Sequence, residues 1–129
     1  MKLLLDTQML LWLAAGTLPN EAETLVLDVD NKLYFSSVSI WKICIDKSFG
    51  RDDFKVNSEA LRSSLLDNRD QELSITSLHI LSVNDPPQIH KNPFDRMPIA
   101  QPKTEGILLL TSDSDLREHT GPRIFVPKR

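Results

Sequence analysis

The 129-residue chain has one cysteine, Cys44, so no intrachain disulfide can staple it. No apolar run approaches the ~20 residues that a membrane-spanning helix needs. No charged start leads into an apolar stretch with a small-residue cleavage site, as a secretory signal would. Repeats, low-complexity stretches and a second composition regime are all missing, and with them any sign of a linker. An excess of positive charge is missing too. The 15 Lys and Arg stand against 18 Asp and Glu, a net of −3, which excludes a binder that holds nucleic acid by bulk charge alone. These absences lead to the expectation of a single soluble, cytoplasmic domain over residues 1–129, with no membrane partner. At that size folding buries roughly two thirds of the chain's surface, so a core can form without staples. Beside Ile40 and Trp41, Cys44 is expected in that core as a small hydrophobe.

What is present begins at the amino end. Leu3, Leu4 and Leu5 form a continuous apolar run, suited to a parallel strand buried on both faces. Asp6 ends the run abruptly, and apolar residues return at Met9, Leu10, Leu11, Trp12 and Leu13 on a helical path. A carboxylate at the carboxyl end of a buried strand stands where open α/β sheets keep their ligand crevices. Asp6 also suits the N-cap of the helix that follows, and the two roles can coexist.

The rest of the chain alternates in the same way. Helical spacing at Ala22, Leu25, Val26 and Val29 precedes a short strand at Leu33–Phe35, and the serines at 36, 37 and 39 open a helix through Ile45. Ser58 opens another helix, with Leu61, Leu65 and Leu66 on one face. A short strand is expected within Glu72–Thr76 and a helix over Ser77–Val83. Asn84–Lys91 reads as a loop, and so does Arg51–Val56 after a helix stop at Gly50. Asn92-Pro93-Phe94-Asp95 is a strong helix start, combining an N-cap residue, a first-turn proline and an acid that complements the dipole. That helix should run to about Glu105, kinked or shortened by Pro98 and Pro102, because each proline in a helix interior costs ~3 kcal/mol. Ile107–Leu110 is a second buried run, ending at Thr111-Ser112-Asp113; a short helix over Ser114–Glu118 and a last strand over Arg123–Val126 follow. Strands alternating with helices imply an α/β fold, with helices on both faces of a mostly parallel sheet.

Both buried runs finish at an acid, Asp6 and Asp113, and Asp95 opens the helix leading into the second run. A right-handed crossover returns parallel strands to the same sheet edge, so the three carboxylates are candidates for one crevice. Packed carboxylates repel and resist ionising; a hard divalent cation relieves this, and such a site suits hydrolysis of a phosphodiester. The plainer roles are a helix-dipole partner for Asp95, an N-cap for Asp113 and solvated surface for Asp115. Charge is also uneven along the chain. Residues 1–90 carry 8 basic and 13 acidic groups, whereas residues 91–129 carry 7 basic and 5 acidic ones. A phosphate-facing surface would therefore draw on the last third, with Lys91, Arg96 and Arg117 as candidates.

Four stretches then support a resemblance: Leu3-Leu-Leu-Asp-Thr-Gln-Met-Leu-Leu-Trp12, Ser37-Val-Ser-Ile-Trp-Lys-Ile43, Asn92-Pro-Phe-Asp-Arg-Met97 and Leu109-Leu-Thr-Ser-Asp113. In this order the chain resembles PIN domains, and among them the VapC-like ribonuclease toxins of bacterial toxin–antitoxin pairs. The resemblance implies a three-layer α/β/α sandwich and a Mg²⁺- or Mn²⁺-dependent endoribonuclease acting on RNA. It further implies a homodimer and a small antitoxin partner. Asp6, Asp95 and Asp113 match three of the family's catalytic, metal-holding acids.

The chain departs from that pattern at Lys42, where the family has Glu, at Gln8 for a common His, and at Asn92 for an acid before Pro-Phe-Asp-Arg. Lys42 swings that position by two charges. An ammonium there could occupy the cation's place, leaving a weak or inactive module that binds RNA or an antitoxin-like protein. It could equally pair with Asp46, one turn on. Asp46 and Asp115 are the candidate replacements for the missing acid. A phospho-acceptor receiver domain, the remaining alternative, wants paired early acids and a lysine after a late strand, neither of which is present.

Overall fold

Leu3, Leu4 and Leu5 have no room for water on either side, being 0%, 0% and 1% exposed. Burying each contributes about 1.5–3 kcal/mol, and this happens because their strand is the middle one of five. The computed structural model describes residues 1–48, 56–83, 93–113 and 122–128, with residues 47–48 and 93–95 described as backbone alone. In chain order the elements are β1 (Lys2–Leu5), α1 (Thr7–Ala15), α2 (Asn20–Leu27), β2 (Lys32–Ser36), α3 (Ser37–Ser48), α4 (Ser58–Asp67), β3 (Gln71–Leu73), α5 (Ser77–Ser82), α6 (Pro93–Glu105), β4 (Leu108–Thr111) and β5 (Arg123–Phe125). The strands stand side by side as β3-β2-β1-β4-β5, and all four pairings are parallel.

The register carries the period-two alternation across the sheet. Leu5 pairs with Phe35 and Leu110, and all three join one core with Met9 and Leu10 of α1, Ala22 of α2, Ile43 of α3, and Leu61 and Leu65 of α4. Leu4 pairs with Tyr34 and Leu109 and faces the other way, against Ile99 of α6. Val38, at the start of α3, packs on Met97 and Ala100 of α6. The result is a three-layer α/β/α arrangement, as the alternation along the chain implied. The two edge strands are only three residues each, which limits the open ladder available for unwanted pairing.

Helix α5 is fastened to α6 by a buried histidine. His79 Nδ1 accepts the Thr76 backbone N–H at 3.0 Å, so Nε2 carries the ring proton and donates to Glu105 Oε1 at 2.7 Å. The Thr76 hydroxyl accepts in turn from the His79 N–H, closing a capping box.

Several expectations are revised. Helix α6 is not shortened. Both prolines lie inside it and it reaches Glu105. Pro98 and Pro102 are four apart, so their missing donors fall on one column of the helix, and both rings are buried. That column resumes where the Gly106 N–H donates to Pro102 O at 2.9 Å. Helix α2 stops at Leu27, and Val29 is 96% exposed rather than part of its apolar face. The turn takes over there, with the Asp30 N–H on Asp28 Oδ1 and the Asn31 amide on Leu25 O. Strand β3 covers Gln71–Leu73 rather than reaching Thr76, because Thr76 caps α5. Cys44 is exposed, not core. It shares the outer face of α3 with Trp41, three residues back, while Ser39 and Ile43 take the inner one. Leu11, Trp12 and Leu25 are partly buried against the core. The loops expected around Gly50 and over Asn84–Lys91, and the helix over Ser114–Glu118, lie outside the described residues.

One position is strained. Arg69, just past α4, has φ +68°, a conformation that costs an L-residue about 1–2 kcal/mol. The chain turns there because the Arg69 and Asp70 N–H groups close back on Leu66 O and Leu65 O. Glycine adopts this conformation freely but loses more entropy on folding, by about 0.5–1 kcal/mol. Arg69→Gly is therefore expected to stabilise by about 0.5–1 kcal/mol, seen as a melting temperature higher by about 2–4 °C. An unchanged or lower value in a thermal melt would show that the turn is not strained.

Candidate functional site

The carboxyl ends of β1, β2 and β4 lie side by side in a parallel sheet, and each is followed by polar residues: Asp6-Thr7, Ser36-Ser37 and Thr111-Ser112-Asp113. Asp6 continues the sheet by one bond, its N–H donating to Leu110 O at 3.3 Å. It then turns the chain into α1. Its Oδ1 accepts the Met9 N–H at 2.8 Å, and its carbonyl accepts from Leu10. So Asp6 is the N-cap of α1, and this leaves its other oxygen pointing across to β4. Oδ2 accepts the Thr111 hydroxyl at 2.6 Å.

The Thr111 oxygen accepts in turn from the Asp113 N–H at 3.1 Å. Ser112 donates to Val126 O, and the Val126 N–H returns to Thr111 O, which locks the chain after β4 to the end of β5. On the other side of Asp6, the Thr7 hydroxyl donates to Ser39 Oγ at 2.8 Å, drawing the first turn of α3 against the start of α1. The Ser36 hydroxyl accepts the Val38 N–H and the Ser37 hydroxyl accepts the Ile75 N–H. Hydroxyl groups thus line the carboxyl ends of β1, β2 and β4.

The electrostatics record the proximity of Asp6 and Asp113. The Asp6 carboxyl is pushed up to about 6, chiefly by burial and in smaller part by the charge of Asp113. Hydrogen bonds from Thr111, Met9 and Gln8 oppose this without cancelling it. Asp70 is also pushed up to about 6, by burial alone, before the amino end of β3 and so away from this edge. A raised carboxyl is therefore not distinctive here; its pairing with a second acid is.

Asp6 and Asp113 are thus brought together. Asp95 is the third residue of α6, and its side chain lies outside the described residues. The same helix packs Met97 and Ala100 on Val38 at the start of α3. Arg96, half-buried, is next to Asp95. Lys42 is half-buried on α3, one turn past Ser39. Lys91, Asp115 and Arg117 lie outside the described residues. Among the described residues no three His, Cys, Asp or Glu side chains form a group that could hold a metal ion. Thr111 is the group that reading the sequence passed over. Its signal was a hydroxyl residue ending a buried apolar run two positions before an acid.

No protein-family model matches the chain, and no curated protein matches it. Solved structures do. The chain matches VapBC2 from Rickettsia felis bound to a DNA fragment from their promoter, with a TM-score of 0.69, 12% identity and full coverage of both chains. It matches DNA-bound VapBC from Salmonella typhimurium at a TM-score of 0.66, 15% identity and 96% coverage of each chain. A toxin–antitoxin complex from Klebsiella pneumoniae gives a TM-score of 0.65, 16% identity and 98% coverage of each chain. At such identities the likeness is one of fold, and the fold is the PIN-like, VapC-like α/β sandwich that the sequence resemblance implied.

The raised carboxyl has a consequence for stability. Between about pH 4 and 6 the folded chain holds a proton on Asp6 that the unfolded chain has released, so the stability of the chelator-treated protein falls as pH rises through that window. For Asp6 alone the loss is on the order of 3 kcal/mol. Asp6→Asn keeps an N-cap residue and removes the charge. It is expected to raise the melting temperature at pH 8 by about 5 °C or more and to flatten the pH 4–6 slope. An unaltered slope in melts across that range would show that Asp6 ionises without hindrance.

Proposed function

We propose that the chain is a metal-dependent endoribonuclease of the PIN-domain toxin type, with Asp6, Asp95 and Asp113 holding Mg²⁺ or Mn²⁺. The observation that carries this reading is the meeting of Asp6 and Asp113 at the carboxyl edge of the sheet, close enough for one charge to disfavour the other. The donor chemistry fits the ion. The groups there are carboxylate and hydroxyl oxygens, hard ligands suited to Mg²⁺ or Mn²⁺ rather than to softer metals. Helix α6, whose first turn carries Asp95, packs against the start of α3 beside this edge. When bound, such an ion supplies an activated water and neutralises charge developing on a phosphodiester.

The chain's own residues do the positioning. Asp6 is gripped on both oxygens, by the Met9 N–H and the Thr111 hydroxyl, so its remaining lone pairs are aimed rather than free to swing. Arg96, Lys91 and Arg117 would hold RNA phosphates through charge-assisted hydrogen bonds. A small antitoxin is the partner we favour, since the structural neighbours are toxin–antitoxin complexes; a second copy of the chain completes the proposed assembly. Lys42 motivates the competing reading, a module that binds RNA or a partner without cutting.

Single-stranded RNA incubated with the purified chain and Mn²⁺ or Mg²⁺ should be cleaved, with no cleavage in chelator. Asp6→Asn should lose activity beyond the ~10–100-fold range of a merely supporting group. Equal cleavage by the two proteins, or none by either, overturns the reading. Calorimetry of Lys42→Glu separates the alternatives further. Mn²⁺ binding by the unaltered chain, tightened several-fold in the variant, is expected; binding that appears only in Lys42→Glu would favour the non-cutting module.

A further inference from the structure

Thr111 is wholly buried at the last position of β4, and its hydroxyl has two partners of different kinds. One is the Asp6 carboxylate, 105 positions away in sequence, which accepts at 2.6 Å. The other is the Asp113 N–H, two positions on, which donates at 3.1 Å. An amide N–H can only donate, so the Thr111 oxygen must accept from it, and its single proton is committed to Asp6. The hydroxyl has no freedom left. One oxygen atom therefore ties the carboxylate of one acid to the backbone of the other.

We infer that Thr111 is a positioning residue for the carboxylate pair: its hydroxyl fixes the orientation of the Asp6 carboxylate and sets the Asp113 backbone beside it. The inference rests on the reading of these acids as cation ligands. Asp6 Oδ1 is held by the amino end of α1, which by itself leaves the carboxylate able to pivot about that contact. The bond from β4 to Oδ2 removes the pivot. The Met9 N–H and the Thr111 hydroxyl are taken by different oxygens, so the two contacts hold the carboxylate at both ends. Charge-assisted O–H···O⁻ bonds of this length are among the stronger ones. Filling the strand position does not require the hydroxyl, since valine is β-branched, suits a strand equally and has nearly the same shape. What valine lacks is the link between the acids.

The test uses the full chain and Mn²⁺ as the probe. Thr111→Ser keeps the hydroxyl and should bind Mn²⁺ within about threefold of the unaltered protein. Thr111→Val should bind it about 10–100-fold more weakly, the range seen when a group supporting a metal ligand is removed. Calorimetry gives both affinities, and circular dichroism of the metal-free variants checks that they fold. Mn²⁺ binding by Thr111→Val equal to that of the unaltered chain overturns the inference and leaves the nuclease reading standing. Failure of the unaltered chain to bind Mn²⁺ sinks both. A second measurement needs neither metal nor variant. In proton NMR of the metal-free chain the Thr111 hydroxyl should appear as a slowly exchanging resonance. Exchange as fast as that of an exposed threonine overturns the inference even if Thr111→Val fails to fold.

Discussion

The structure depends on a carboxylate placed where water cannot fully reach it. Asp6 ends the most buried strand in the chain, and the burial that makes β1 a good central strand also makes Asp6 reluctant to ionise. The two facts cannot be separated. Three leucines buried on both faces demand neighbours on both sides and helices above and below. Those neighbours, β2 and β4, bring their own carboxyl ends to the same edge. The acid is thus held by the geometry that stabilises the fold, and relief must come from what the neighbours present.

That relief is local and incomplete. The amino end of α1 gives one N–H and a favourable dipole, and β4 gives one hydroxyl. Against these stand desolvation and a second acid, and the net effect still holds the carboxyl at about 6, above its ordinary value. A fold selected only for stability would have a smaller neutral residue at position 6, such as the serine or asparagine that caps helices equally well. On the proposed reading, the repulsion between these carboxylates is what a bound cation would relieve.

Much of this was legible in the sequence because it follows from local chemistry. A run of leucines broken by an acid and followed by helical spacing names β1, Asp6 and α1 together. The run at Leu108–Leu110 names β4 by the same logic, and the helix start at Pro93 follows from its capping residues. What was not legible depends on partners far along the chain. Cys44 looked apolar beside Ile40 and Trp41, yet the face of α3 that turns inward is set by Ser39 meeting Thr7 and Ile43 meeting α1, not by its nearest neighbours. The two prolines argued for a kinked or shortened helix, because the cost of each is local while the burial that offsets it is not. Val29 fitted the helical spacing of α2, but the side chains of Asp28 and Asn31 bond the turn instead. Thr111 was visible only as the end of a strand, since its donor role exists only once Asp6 is beside it.

The topology also brings the two differently charged parts of the chain together. The first 90 residues are strongly negative and the last 39 mildly positive, which in an extended chain would keep the two apart. Strand β4 belongs to the positive part, yet it inserts between β1 and β5 and lies directly against β1. The helix entering it, α6, carries Arg96 in its first turn, at the end that packs on the start of α3. Parallel pairing therefore sets a strand from the most basic third beside β1, the strand that Asp6 ends. Had β4 paired outside β2 instead, Asp6 and Thr111 would stand at the ends of strands that are not neighbours, and the bond between them could not form.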